Sequence, residues 1–106
     1  MRDLKWSATD KSIARKAFDL ALQRELEAVM KKAKAMAAKL EQPVDLWKLE
    51  SYLTRRRQRI DRQYEYRYSV LPQVFADLIR EGRLREQDLQ GLGDDKLEYV
   101  RLYATT

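Results

Sequence analysis

Asp45-Leu46-Trp47-Lys48-Leu49-Glu50-Ser51-Tyr52-Leu53-Thr54-Arg55-Arg56-Arg57-Gln58-Arg59-Ile60-Asp61 decides how this chain folds. Its apolar residues Leu46, Leu49, Leu53 and Ile60 recur at steps of 3, 4 and 7, the signature of a helix with one buried stripe. Pro43 stops the helical pattern that comes before it. Between Leu53 and Ile60, the turn that would complete the stripe carries Arg56 and Arg57. A guanidinium on an inward-leaning face needs a carboxylate or backbone carbonyls, because an unpaired buried charge is strongly destabilising. A chain this short has few carboxylates to place there, so a second copy of the chain is the expected source.

Working outward, Ser7, Thr9 or Asp10 can each accept the first free N–H groups of an earlier helix. Ala14, Phe18, Leu22, Leu26, Val29, Ala33, Met36 and Leu40 follow at helical spacing. The pattern predicts a helix from about Asp10 to Glu41, on the order of 45 Å long at ~1.5 Å per residue. Ala28, Ala33, Ala35, Ala37 and Ala38 predict close packing of its second half along a neighbour. Gln42-Pro43-Val44 is a tight connection with Asp45 placed to cap the next helix, so the two helices form an antiparallel hairpin. The second helix is expected from Leu46 to about Tyr68; Tyr64-Glu65-Tyr66-Arg67-Tyr68 alternates like a strand but has no strand to pair with, and is read as helix.

Ser69 and Pro72 mark a new helix start or a kink. Leu71, Val74, Phe75, Leu78 and Ile79 then give the cleanest helical periodicity in the chain, closed by Gly82 as the residue just past the helix. Leu84, Leu89 and Leu92 predict a short helix ended by Gly91-Leu92-Gly93, and Asp94 or Asp95 caps a last helix holding Leu97, Val100 and Tyr103. The expected fold is all-α: a long antiparallel hairpin stalk, about 10–68, and a small helical head, about 70–104, in one domain. The head helices are short, and short helices depend on packing rather than propensity, so the head is expected to open more readily than the stalk.

The 106 residues are 44% hydrophobic with three glycines and two prolines, which favours helices over a turn-rich β fold. The absence of cysteine and histidine removes thiol nucleophiles, disulfides, imidazole bases and the usual zinc ligand sets. No cofactor or metal is expected, and no nucleophile stands beside a base, so an enzyme is not expected. Met1-Arg2-Asp3-Leu4-Lys5-Trp6 lacks the apolar core of a leader, and the expected location is the cytoplasm. Lys31, Lys32, Lys34 and Lys39 would suit a membrane surface, but alanine and methionine beside them provide no aromatic anchor, so no membrane partner is expected.

Twenty-two Lys and Arg against seventeen Asp and Glu give a net charge of +5. The second functional reading is therefore a basic helical nucleic-acid-binding protein. Arg55, Arg56, Arg57, Arg59, Arg62 and Arg67 would contact phosphates, and Tyr64, Tyr66 and Tyr68 would stack on bases. No nucleic-acid-reading motif accompanies them, which ranks this reading below a protein-binding one.

Asp45-Leu46-Trp47-Lys48-Leu49, Tyr52-Leu53, Arg57, Ile60-Asp61, Tyr64, Arg67, Ser69-Val70, Val74-Phe75-Ala76, Leu78 to Gly82 and Asp95-Lys96 together resemble the fluorescence recovery protein family, with a looser match at Gln23-Arg24-Glu25-Leu26. The resemblance implies a small all-α protein that forms an antiparallel homodimer. It also implies binding to the photoactivated orange carotenoid protein, chiefly its C-terminal domain, to speed return to the resting state. The family's interface patch has a tryptophan, an aspartate and an arginine; Trp47 and Arg57 match the first and last. Ser51 stands in place of the aspartate and Glu50 in place of a histidine. Gln73 and Tyr99 replace a phenylalanine and a lysine that the family uses for activity. The expected dimer contacts are Trp47, Glu50, Ser51, Leu53 and Arg57, and the expected partner contacts are Arg56, Gln73 and Tyr99.

Overall fold

The computed structural model describes residues 4–105. The opening Met1-Arg2-Asp3, read above as part of a stretch without a leader's apolar core, lies outside the described residues. Helix α1 runs Ala8–Ala38, α2 Pro43–Gln63, α3 Leu71–Arg80 and α4 Asp94–Ala104, with a 3-10 turn at Glu86–Leu89 between the last two. The molecule extends 53 × 23 × 22 Å, the long axis set by α1. No strand occurs among the described residues.

Capping residues explain where the helices start. The Ser7 hydroxyl accepts the Asp10 N–H at 3.0 Å and the Asp10 carboxylate accepts the Ser7 N–H at 3.1 Å, a reciprocal box that starts α1 at Ala8, two residues early relative to the sequence reading. At α2 the expected cap shifts. Gln42 precedes the helix, Pro43 occupies the first turn, and Asp45 sits three residues on, where its carboxylate accepts the N–H groups of Glu41 and Gln42 at 3.0 and 2.9 Å. Neither Asp94 nor Asp95 caps α4; Gly93 does, its carbonyl accepting the N–H groups of Lys96 and Leu97. Gly82 behaves as expected. It has φ +77°, and the Arg83 N–H reaches Leu78 O at 2.8 Å while its own N–H reaches Ile79 O at 3.1 Å, the two bonds of a Schellman stop.

The segment after α2 departs most from expectation. The helix ends at Gln63, and residues 64–67 form neither helix nor strand. Alternation is the period of an extended chain, so Tyr64, Tyr66 and Tyr68 fall on one side, whereas a helix would scatter them around its circumference. That side lies on α1: Phe18 meets Tyr64 and Tyr66 edge-on at 5.6 and 5.0 Å, and Trp6 meets Tyr68 at 5.2 Å. The partner that an isolated strand lacked is a helix, reached through aromatic rings.

Burial is concentrated at one end. Leu71, Val74, Phe75, Ala76 and Leu78 of α3 pack with Leu84, Leu89, Leu92 and Val100, and Ala14, Ala17, Phe18 and Ala21 of α1 close the core. The first half of α1 thus belongs to this packing unit. In contrast, α2 has no buried residue, and Ala35, Ala37 and Ala38 are exposed. The close packing expected of the outer hairpin is confined to one seam, where Ala28 and Ala33 are half-buried, since two helices alone shield only the surface between them. Burial likewise favours the head over the stalk, opposite to the expectation drawn from helix length. Phe75 is fully buried at the centre of this core, so Phe75→Ala should lower unfolding free energy by about 3–5 kcal/mol, measured as a fall in urea midpoint at unchanged slope.

Candidate protein-binding surface

Glu25 sits on the core side of α1 with only 4% of its surface exposed. Three groups converge on it: the Arg56 guanidinium from α2, the Arg83 Nε at 3.1 Å from the turn after α3, and the Tyr64 hydroxyl, which donates at 3.0 Å. One residue back, Arg24 Nη1 donates to Arg83 O and to Asp88, both at 2.9 Å. Burial by itself raises the Glu25 carboxyl pKa; the hydrogen bonds from Arg83 and Tyr64, with the charges of Arg83 and Arg56, outweigh it and hold the group below the usual carboxylate range. The Tyr64 hydroxyl is raised, first by burial and then by this carboxylate. Arg56 therefore takes its counter-charge from its own chain. The second copy that the sequence seemed to require for Arg56 is not needed.

Glu25 was missed because the buried row of α1 was traced through the wrong residues. Ala14, Ala17, Phe18, Ala21 and Glu25 face the core, while Leu26 is 44% exposed. The signal was present: Ala14, Phe18, Ala21 and Glu25 step by 4, 3 and 4, and an acid in such a row announces a buried partner. Lys96 was missed in the same way. Its Nζ lies 2.9 Å from Asp10 Oδ2 and 3.0 Å from Asp95 Oδ1, under the Trp6 ring at 5.7 Å, while the Gly93 N–H donates to Asp10 Oδ1 at 2.9 Å. A Cβ on Gly93 would stand 2.9 Å from Asp95 Oδ1 and 3.3 Å from Lys96 Nζ, so glycine lets the backbone close on the pair. Burial raises the Asp10 carboxyl, but Lys96 and the Gly93 and Ser7 N–H groups take its pKa down to about 2.

Two apolar faces remain open. On α2, Trp47 is 65% exposed, Leu46 49% and Leu53 41%. Glu50, Ser51 and Arg57 are exposed on the same helix, with Glu50 accepting a hydrogen bond from the Thr54 hydroxyl at 3.0 Å. Glu50 and Arg57 stand seven residues apart, hence on one face. On α1, Leu22, Leu26 and Met30 line a groove of about 510 Å³ with Asp19, Gln23 and Glu27. The α1 helix thus carries two apolar rows, one on the head and one facing out. Gln73 of α3 donates to Asp77 at 3.2 Å, and Tyr99 of α4 stacks on Tyr103 at 6.2 Å. No recorded hydrogen bond, ion pair or ring contact among the described residues joins these two to the α2 group.

The nucleic-acid reading loses its stacking platform here. Tyr64, Tyr66 and Tyr68 turn towards α1, and Arg56, Arg59 and Arg67 are held by Glu25, Glu81 and Glu65.

Comparison with known proteins decides the family. Residues 6–104 match the family described as photoprotection regulator fluorescence recovery protein. The chain belongs to the fluorescence recovery protein family. It is 36% identical over 99 residues to the fluorescence recovery protein of Synechocystis, covering 93% of this chain and 91% of that one. Solved structures of fluorescence recovery proteins from Fremyella diplosiphon and Synechocystis superpose with TM-scores of 0.91 at 35% identity, over 96% of this chain and the whole of each of those. The fluorescence recovery protein fold is thus all-helical here as expected, and no helix among the described residues is long and apolar enough to cross a membrane.

Both buried carboxylates have folded-state pKa values below their ordinary 3.8 and 4.5, so their stabilisation is complete above those values and is lost as pH falls below them, for Asp10 towards about 2. Thermal midpoints should be flat from about pH 7 to 5 and fall below about pH 4. Glu25→Gln should cost about 3 kcal/mol at neutral pH, by leaving Arg56 and Arg83 without their charge partner, and should shrink the acid-side fall seen by circular dichroism.

Proposed function

We propose that this chain is a non-enzymatic, single-domain helical regulator, active in the cytoplasm as an antiparallel homodimer, that binds the orange carotenoid protein at its C-terminal domain. The observation that carries this reading is Trp47, 65% exposed near the start of a helix with no buried residue, in a member of a photoprotection regulator family. An aromatic of this size is normally covered, and interfaces favour tryptophan and arginine at their centres. The dimer covers Trp47, Leu53 and the outer row of α1, and sets Arg57 of one protomer against Glu50 of the other. Glu50 replaces the carboxylate lost at Ser51. Arg56 supports the partner surface from beneath, through Glu25, while Gln73 and Tyr99 touch the partner from the head.

Gln73 and Tyr99 lack the aromatic anchor and positive charge that the family resemblance associates with activity. This chain should therefore speed recovery of an orange carotenoid protein less than the Synechocystis relative does. Recovery kinetics at equimolar dose decide it, and equal acceleration by the two proteins overturns the assignment of Gln73 and Tyr99.

For the dimer, Arg57→Glu should cost roughly 2–5 kcal/mol of association by bringing like charges together. Glu50→Arg should do the same, and the double exchange should restore part of the loss. Light scattering coupled to size exclusion reads all three; an undiminished dimer in Arg57→Glu rules out this interface, and no recovery in the double exchange rules out the pairing.

A further inference from the structure

Charge is unevenly placed along the molecule. Residues 28–63 hold ten Lys and Arg against four Asp and Glu, while the other seventy residues hold twelve against thirteen. Within 86–105, five acids face two bases, and both bases are engaged: Lys96 is buried between Asp10 and Asp95, and the Arg101 guanidinium is taken by Glu86. No ion pair among the described residues involves Glu98. The outer face of α4 is thus an acidic surface on a basic chain.

That face is also concave and apolar. Asp95, Glu98, Leu102 and Thr105 follow one another at steps of three, four and three, with Tyr99 beside Glu98, and with Arg101 they line a groove of about 550 Å³. Leu102 is 56% exposed at its floor. The Tyr99 ring is braced against Tyr103, and the Thr105 hydroxyl is spent on Leu102 O at 3.0 Å, so the rim offers carboxylates rather than free donors. From Asp95 to Thr105 the groove runs about 15 Å, the length of about three helical turns.

We propose that this groove docks a cationic amphipathic helix of a partner protein, its apolar residues on Tyr99 and Leu102 and its Lys or Arg side chains on Asp95 and Glu98. The inference rests on the reading that the head touches a protein partner, and specifies the chemistry of the segment it takes. The basic stalk repels such a segment and the head attracts it, so the charge division directs it to α4.

The test uses the full chain and a fluorescein-labelled amphipathic peptide of leucine and lysine, about three turns long, beside the same peptide with glutamate for lysine, at ~150 mM salt where exposed charges are screened beyond about 8 Å. The lysine peptide should bind by anisotropy and shift amide resonances at 95–105. Glu98→Lys and Leu102→Asp, both on exposed positions, should each weaken it by about tenfold with helical content unchanged. Equal affinity for the two peptides, shifts confined to the stalk, no binding, or indifference to both variants would overturn the proposal. A loss of self-association in Glu98→Lys would assign the groove to a second copy and overturn it too. The peptide assay contains no carotenoid protein, so a negative recovery assay leaves its outcome untouched.

Discussion

A single carboxylate ties this molecule together. Glu25 is the point where α1, α2, the segment after α2 and the turn after α3 meet, through Arg56, Tyr64 and Arg83. Its surroundings are arranged so that burial, which alone would neutralise the group, instead leaves it charged. At this joint α2 is tied to α1 by charged hydrogen bonds together with the edge-on packing of Tyr64 on Phe18. Such contacts are directional, and removing one partner exposes the others to the full cost of desolvation.

Everything beyond that joint is under-packed, and this is what makes the stalk available. The core uses α3, α4 and the first half of α1, whereas α2 and the far half of α1 stand largely in water. A single chain leaves the outer row of α1 and the Trp47 face of α2 uncovered, because most of its other large apolar residues are buried in the head. The buried core and the exposed Trp47 face thereby lie at different ends of the molecule, so substitutions at exposed positions of α2 leave the core intact.

Much of this was legible in the sequence. The number of helices, the hairpin, the core row Leu71, Val74, Phe75 and Leu78, and the stop at Gly82 follow from periodicity and local turn chemistry, which act over a few residues. The family was legible too, since a long pattern of matched residues is more specific than any short motif. The misreadings have a common cause. Leu22 and Leu26 look like a continuation of Ala14 and Phe18, yet the chain turns its smaller residues Ala17 and Ala21 inward so that α1 can approach the head closely. Tyr64 to Tyr68 look like a strand without a partner because their partner is a helix some fifty residues earlier. Arg56 looks like an interface residue because the carboxylate that meets it, Glu25, lies thirty-one residues away in the sequence. In each case a tertiary contact overrode a local inference. Where the structure brings Gln73 and Tyr99, on separate helices of the head, no local pattern indicated their surroundings.

The two tryptophans end up in opposite surroundings, and this gives the protein a built-in optical readout. Trp6 is half-buried against Tyr68 with the Lys96 ammonium beneath its ring, at the clasp that joins the start of α1 to α4. Trp47 stands in water on the far arm. Their emission should differ in wavelength and in access to a quencher such as acrylamide. Opening of the head would change one signal and covering of the stalk the other, so the unlabelled chain reports separately on its own integrity and on the occupancy of its exposed face.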